Sequence, residues 1–459
     1  MKSGRDGRGP LLGDDRGTQA KKPRGPVGSR LSPAGRPAQA GPTLGAAEAW
    51  AKVSPARRAA YDILALVEQG KGHSDELLHS FRLDALSEAD RHLTTALVMG
   101  VLRWQIALDA RIRRLLERPD QSLPEPVALA LRLGALQLLH MDRIPAHAAL
   151  SESVELCRAA GHPYAAGMVN AILRKVAVAQ PPGERVFEST AAFAERLAHP
   201  RWLVERWVER FGREAALKIC AADQQESGRG GLFAPSEDLP QIDDGSRLVA
   251  ELAAAALPEI AGRTARVWDC CAAPGGKALV LARRLPGADL LASDVSARRM
   301  AVMQARVARE GGAAAIRTLV ASVEMLPAAE GFFDLILCDA PCSGTGTLGR
   351  NPEIRLRLST AEISRQAERQ KVILQAALAR LAPGGRLVYS TCSLEREENE
   401  NVASEAAEGF RRLPAAGLLA QLPDLLPGHQ DLASEGALRT LPGVHPADGF
   451  FAQIFERQG

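Results

Sequence analysis

The sequence predicts a multidomain chain in which an all-α unit is followed by an α/β unit of Rossmann-like type. Three observations carry this. From Ala47 to about Val178, apolar residues recur at spacings of three and four, the period of amphipathic helices. From about Asp243 to Phe455, short apolar runs alternate with helical stretches, which implies right-handed βαβ crossovers and a mostly parallel sheet. In the stretch Val267-Trp-Asp-Cys-Cys-Ala-Ala-Pro-Gly-Gly-Lys277, an apolar run ends in Asp269 and a Pro-Gly-Gly turn opens an Ala/Leu-rich helix. That is the first βα unit of a doubly wound sheet, where ligands bind beyond the carboxyl ends of the strands.

Bulk properties set the frame. At 459 residues the chain exceeds the usual size of one domain. With 46% hydrophobic and 24% charged residues it suits globular domains with buried cores. A net charge of +3 announces no global affinity for nucleic acid, so an RNA site must be a local patch. Seven cysteines at irregular spacings make no disulfide framework and suit a reducing, cytoplasmic setting. No Cys-x-x-Cys spacing exists, so no metal site is expected. Neither a long apolar span nor a signal-peptide h-region is visible, so no membrane partner is expected.

Residues 1–46 hold nine Lys or Arg among glycines and prolines and little that could form a core, so a disordered basic tail is expected there. The helical unit covers 47–180. Its periodic stretches are Ala56 to Val67, Leu93 to Trp104, Ala107 to Leu116, Pro126 to Met141, Ala146 to Ala160 and Ala166 to Val176. Pro124-Glu-Pro126 and Gly161-His-Pro163 punctuate them. Leu131-Arg-Leu-Gly134, Ala146-His-Ala-Ala-Leu150 and Val169-Asn170-Ala-Ile-Leu-Arg174-Lys175 resemble the RNA-binding NusB fold. The resemblance makes Arg174 and Lys175 candidates for RNA contacts; a solvated helix end accounts for them equally well. A connector follows over 181–242, with an amphipathic helix in His199-Pro-Arg-Trp202-Leu. The α/β unit fills 243–459, with strands expected at Leu335–Cys338 and Arg386–Ser390, a helix at Gln370–Leu381 between them, and a turn at Pro383-Gly-Gly385.

The chemistry sits at strand ends. The glycine turn is not Gly-x-Gly-x-x-Gly, so no pyrophosphate seat is indicated. Asp294, closing the next apolar run, is placed to hold ribose hydroxyls; an adenosine ligand without a diphosphate points to S-adenosylmethionine. Asp339-Ala-Pro-Cys342-Ser follows one strand and Thr391-Cys392-Ser393 another, which puts both cysteines on the same sheet edge as the glycine turn. Cytosine C5 is a poor nucleophile, and methylating it requires covalent addition at C6. A thiolate of lowered pKa is the group for that step. The base must be unstacked to be reached.

These three motifs in order resemble the RNA 5-methylcytosine methyltransferase family, over roughly residues 50–459. With the NusB-like helices in front, the chain is similar to the RsmB (Sun) type acting on small-subunit ribosomal RNA. Arg350-Asn-Pro352-Glu353-Ile354-Arg355, Glu397-Glu398-Asn399 and His445-Pro-Ala-Asp448 support the match. The resemblance implies a class I methyltransferase domain in which Cys392 is the nucleophile and Cys342 helps release the product. It implies that Asp339 contacts the cytosine and Lys277 lies beside the reacting groups. Cys271, Ala272, Ala273, Pro274, Gly275, Gly276, Lys277, Asp294 and Asp339 would line the cofactor site. The partner it implies is RNA, ribosomal RNA first, with no DNA; a monomer is expected.

Two departures from the family pattern stand out. Gly228-Arg-Gly-Gly-Leu-Phe lacks the usual Arg-Val-Asn, and Ser322 stands where an acid near the adenine is usual, with Glu324 as its possible substitute. Competing readings are a transfer-RNA methyltransferase of the same superfamily, a NusB-like RNA-binding protein with an inactive second half, and a DNA cytosine methyltransferase. The last lacks a Thr-Cys-Ser cysteine, which this chain has. Cys157, Cys220, Cys270 and Cys338 are read as apolar filler, and His140, His147 and His199 as core or interface histidines.

Overall fold

A computed structural model describes residues 48–178, 188–225, 231–311, 315–428 and 430–458. The expected tail over 1–46, the Pro181-Pro-Gly break and Gly228 to Gly230 lie outside these residues. The described residues form one compact unit.

The first five long helices are α1 (Pro55–Glu68), α2 (Glu88–Leu115), α3 (Glu125–His140), α4 (Ala146–Ala159) and α5 (Ala166–Val178). Their apolar faces meet in one core that includes Leu64, Leu97, Leu131, Leu136, Leu156 and Leu173. The sequence suggests two helices between Leu93 and Leu116, but α2 is continuous over 28 residues. Gln105 and Ile106, between the two apolar stretches, are neither Gly nor Pro, so nothing stops propagation. The side chain of Ser87 caps its start by accepting from the Asp90 N–H at 3.1 Å. His147 is exposed, on the first turn of α4, and so is not a core residue. His140 stacks on Trp104 with centroids 4.1 Å apart, and His199 is buried against Asp223.

Three shorter helices, α6 (Thr190–Arg196), α7 (Arg201–Phe211) and α8 (Arg213–Ala222), form the connector. Phe193, Leu203, Trp207 and Ile219 build a small core that also takes in Leu348, Leu394 and Leu441 from the α/β part.

That part begins with α9 (Asp244–Ala255), capped by Asp243 accepting from the Ser246 N–H at 2.9 Å. It continues β1 (Arg266–Asp269), α10 (Gly276–Arg284), β2 (Asp289–Asp294), α11 (Ala297–Arg309), β3 (Ile316–Val320), β4 (Phe333–Asp339), α12 (Thr360–Ala379) and β5 (Leu381–Thr391). The final strands are β6 (Arg411–Leu413), β7 (Ala433–Ser434), β8 (Ala437–Arg439) and β9 (Phe451–Glu456). The sheet order is β3-β2-β1-β4-β5-β9-β8-β7, with β6 also pairing β9. The first five strands of that order are parallel and β9 is antiparallel to β5. Strand order reverses between β1 and β4, which opens a crevice at their carboxyl ends. Trp268, Ile336 and Tyr389 fill a core on one face, while Val267, Leu335 and Val388 fill the other, as strand alternation requires.

Two boundaries differ from expectation. The helix placed at Gln370–Leu381 starts at Thr360, where Ser359 caps it by accepting from the Glu362 N–H. The turn expected at Pro383-Gly-Gly385 is absorbed into β5 as an irregularity: Phe333 pairs Leu381, but Leu335 pairs Arg386. The extra residues bulge, which is where a sheet tolerates proline.

Candidate active site

The glycine turn is shaped by steric need. Gly275 has φ +96°, and a Cβ there would lie 2.7 Å from Met303, so only glycine fits without strain. The Ala272 N–H donates to the Ser293 carbonyl at 2.9 Å and fixes the turn against the end of β2. Asp294, buried at that end, accepts from the Ser296 N–H at 2.9 Å and faces Arg299 at 3.4 Å. Val320 pairs Asp294, and the Ala321 N–H donates to the Asp294 carbonyl. Ser322 therefore follows β3 directly beside the Asp294 strand end, half-buried, while Glu324 is exposed.

Asp339 pairs Ser390 across β4 and β5, so the segments that follow these strands leave the sheet side by side. Cys342 and Cys392, fifty positions apart, come together with sulfur atoms 3.3 Å apart. The Gly346 N–H donates to the Cys392 carbonyl at 2.9 Å, and the Gly449 N–H donates to the Gly346 carbonyl at 2.7 Å. A Cβ on Gly346 would sit 2.2 Å from the Gly449 oxygen, so this crossing of three loops also demands glycine. Beneath it, the buried carboxylate of Glu398 accepts from the Ser343 N–H at 2.7 Å, from the Ser343 and Ser393 hydroxyls, and from the Gln370 amide at 3.1 Å. Burial pushes the Glu398 carboxyl up despite those bonds.

Asp339 accepts from the Ser390 hydroxyl at 2.7 Å and pairs with Lys277 at 2.8 Å. Lys277 also reaches Ser246 at 3.3 Å and lies over the Phe450 ring. Burial opposes its charge, but Asp339 more than compensates and its pKa is raised; Asp243 and Cys392 add to this. The two thiols meet different surroundings. Cys392 lies within reach of the Lys277 cation. Cys342 is pushed well up by its hydrogen bond to Cys392, by burial, and by the charges of Cys392 and Glu398.

Asp269 was visible in the sequence only as a strand end, yet it lines the cleft together with Cys271 to Pro274, Gly276, Lys277 and Asp339. Its carboxylate is buried and, among the described residues, finds no side-chain hydrogen-bond partner; the Cys271 backbone N–H and the Lys277 charge favour its ionised form. Burial first, and then the Asp339 charge, raise its pKa to about 7. A buried acid left so thinly partnered fits a ligand that brings donors and positive charge, as the amino-acid end of S-adenosylmethionine does. Arg350 lines the same cleft and pairs with Asp448 at 2.7 Å. No local sequence pattern reveals which way a loop arginine such as this one turns. Cys157, Cys220, Cys270 and Cys338 are buried, as apolar filler should be. Among the described residues no cluster could hold a metal ion, and no helix is long and apolar enough to cross a membrane.

Comparison with known proteins agrees with this geometry. Residues 261–456 match the family model for 16S rRNA methyltransferase RsmB/F, and residues 54–178 match the NusB family. The chain is 34% identical to ribosomal RNA small subunit methyltransferase B of Xanthomonas campestris pv. campestris, over 88% of this chain and 98% of that one. It is 31% identical to the Klebsiella pneumoniae protein of that name, covering 87% and 97%. The crystal structure of PH0851 shares the fold, with a TM-score of 0.64 at 23% identity, over 88% of this chain and 98% of that one. The chain thus belongs to the ribosomal RNA small subunit methyltransferase B family, S-adenosylmethionine-dependent enzymes that methylate rRNA.

Proposed function

We propose that this protein methylates cytosine at C5 in small-subunit (16S) ribosomal RNA through a covalent bond between Cys392 and C6. The observation that carries the reading is the thiol pair, 3.3 Å apart at one crevice, with Lys277 and Asp339 beside it. Residues 47–180 are assigned to RNA binding, 181–242 to the connector and 243–459 to catalysis. The turn from Cys271 to Lys277 would hold the cofactor, with Asp294 serving the ribose, Ser322 the adenine, and Asp269 and Asp339 lining the inner end. When bound, S-adenosylmethionine supplies an electrophilic methyl group to a carbon nucleophile.

The protein must make that carbon. The Cys392 thiolate adds to C6, and the electron pair of the C5–C6 double bond makes C5 nucleophilic. Asp339, with Lys277 holding it, accepts from the exocyclic amine on the N3 edge of the cytosine and so orients the ring for the addition. Once C5 carries the methyl group, its proton must leave. Bonding to C6 removes the Cys392 charge and weakens its hydrogen bond, two of the influences that hold the Cys342 proton in place beside burial and the Glu398 charge. Cys342 can then ionise, its proton going to water, and take the C5 proton. The C5–C6 double bond reforms as the C6–S pair returns to Cys392. Bisulfite mapping of rRNA and tRNA from a deletion strain tests the reading. One 5-methylcytosine should vanish from small-subunit rRNA; loss from tRNA, or from neither, would overturn it.

Ser322 offers a second test. A serine there accepts a hydrogen bond but carries no charge, so Ser322→Asp should tighten S-adenosylmethionine binding by about fivefold, on the order of 1 kcal/mol. Turnover should change little. A calorimetric titration with equal or weaker affinity would remove Ser322 from the adenine site.

A further inference from the structure

The segment from Pro352 to Arg357 belongs by sequence to the α/β part, yet its side chains reach across to the other two. Arg355 is 2% exposed. Its guanidinium donates to the carbonyls of Arg103 on α2 (3.3 Å), Ala198 (3.1 Å) and Asp223 (3.3 Å) around the connector helices, and Leu348 (3.3 Å) in its own loop. In return, Arg103 donates to the Gly349 carbonyl at 2.9 Å. Glu353 accepts from the Ser74 N–H and pairs with His73 Nδ1, each at 2.8 Å. Leu356 packs on the core of the N-terminal helices, and Ile354 on the core of the connector.

This joint is also tied to the thiols. Ile354 lies where a Cβ on Gly344 would be only 2.8 Å away. The Thr347 hydroxyl donates to the Gly344 carbonyl at 2.9 Å, and Asn351 donates to that hydroxyl at 3.2 Å. Gly344 is two residues from Cys342, and Gly346 is bonded to Cys392. None of the Arg355 hydrogen bonds goes to a carboxylate, so its fork of fixed donors matters here more than its charge. A lysine ammonium, with three donors at one point, cannot serve carbonyls spread around a plane.

We propose that Arg355, supported by Glu353, is a positioning residue for Cys342. It seats the Cys342 loop on a surface built by the N-terminal helices and the connector, so the RNA-binding part of the chain sets where the releasing thiol stands. This inference rests on the reading of Cys342 given above. The test uses full-length Arg355→Lys and Glu353→Gln, measuring turnover on rRNA, cofactor affinity by calorimetry, melting temperature, and RNA-attached protein on denaturing gels. With Arg355→Lys, kcat should fall about tenfold to a hundredfold, the loss expected when a reacting group shifts by about an ångström. Cofactor affinity should be unchanged, and RNA-attached protein should accumulate because release suffers more than addition. Glu353→Gln should show the same pattern, more weakly. A merely structural role would lower the melting temperature but leave kcat of the folded enzyme at the wild-type value with no adduct, and that result overturns the proposal. Should Arg355→Lys fail to fold, the same readouts on Glu353→Gln decide it. Cys342→Ala run alongside separates the two ideas. If it traps no RNA, the reading of Cys342 has failed; a tenfold kcat loss in the Arg355 variant would still support the joint, and wild-type kcat would remove both.

Discussion

Cys392→Ala abolishes methylation and leaves RNA binding nearly intact: this is the largest effect expected of any single substitution in the chain. In the proposed mechanism, loss of this thiolate leaves no bond to C6, and C5 never becomes nucleophilic enough to accept a methyl group. The loss should be on the order of 10⁴-fold or more, as when other covalent enzymes lose their nucleophile. The fold should tolerate the change. Cys392 is half-buried against apolar neighbours, and among the described residues its side-chain hydrogen bond goes to Cys342. The measurements are radiolabelled methyl incorporation into rRNA and a filter-binding titration of the same RNA. Wild-type incorporation by the variant would refute Cys392 as nucleophile. An RNA adduct formed by the variant would exchange the roles of the two cysteines.

How much of this site was legible in the sequence depended on whether its determinants were local. The glycine turn could be read because backbone shape at Gly275 is dictated by the residues around it. The two cysteines could be placed on one edge because each follows a strand end in a parallel sheet. The 3.3 Å contact between them needed β4 and β5 to be neighbours, which alternation suggests and pairing supplies. Boundaries were misjudged where no breaker marks a helix, as in the division of α2, and where a proline lies in a strand bulge and not in a turn, as at Pro383. Long-range partners were out of reach. Asp269 looked like a strand terminus, and Glu398 belonged to a motif without a role until Ser343 and Ser393 were seen to close on it. Arg355 is the extreme case. Its partners lie 7, 132, 157 and 252 positions away, and no periodicity in the sequence connects them.

Cys342→Ala should give the opposite phenotype, an enzyme that starts the reaction and cannot finish it. Cys392 retains its place near Lys277, so addition to C6 and loading of C5 should proceed. No thiolate then stands ready to take the C5 proton, and the C6–S bond cannot return its electron pair to Cys392. The variant should stall with RNA attached, giving a band that survives denaturing electrophoresis and disappears with RNase. Removing one thiol also removes the hydrogen bond and charge interaction that couple the pair. The variant should form its first adduct while turning over at most once. A single-turnover time course read on gels distinguishes this from simple inactivation. Adduct accumulating to one equivalent with no second turnover is the expected result. Full multiple-turnover activity with no trapped RNA would leave Cys342 a structural thiol, with release assigned to another group in the cleft.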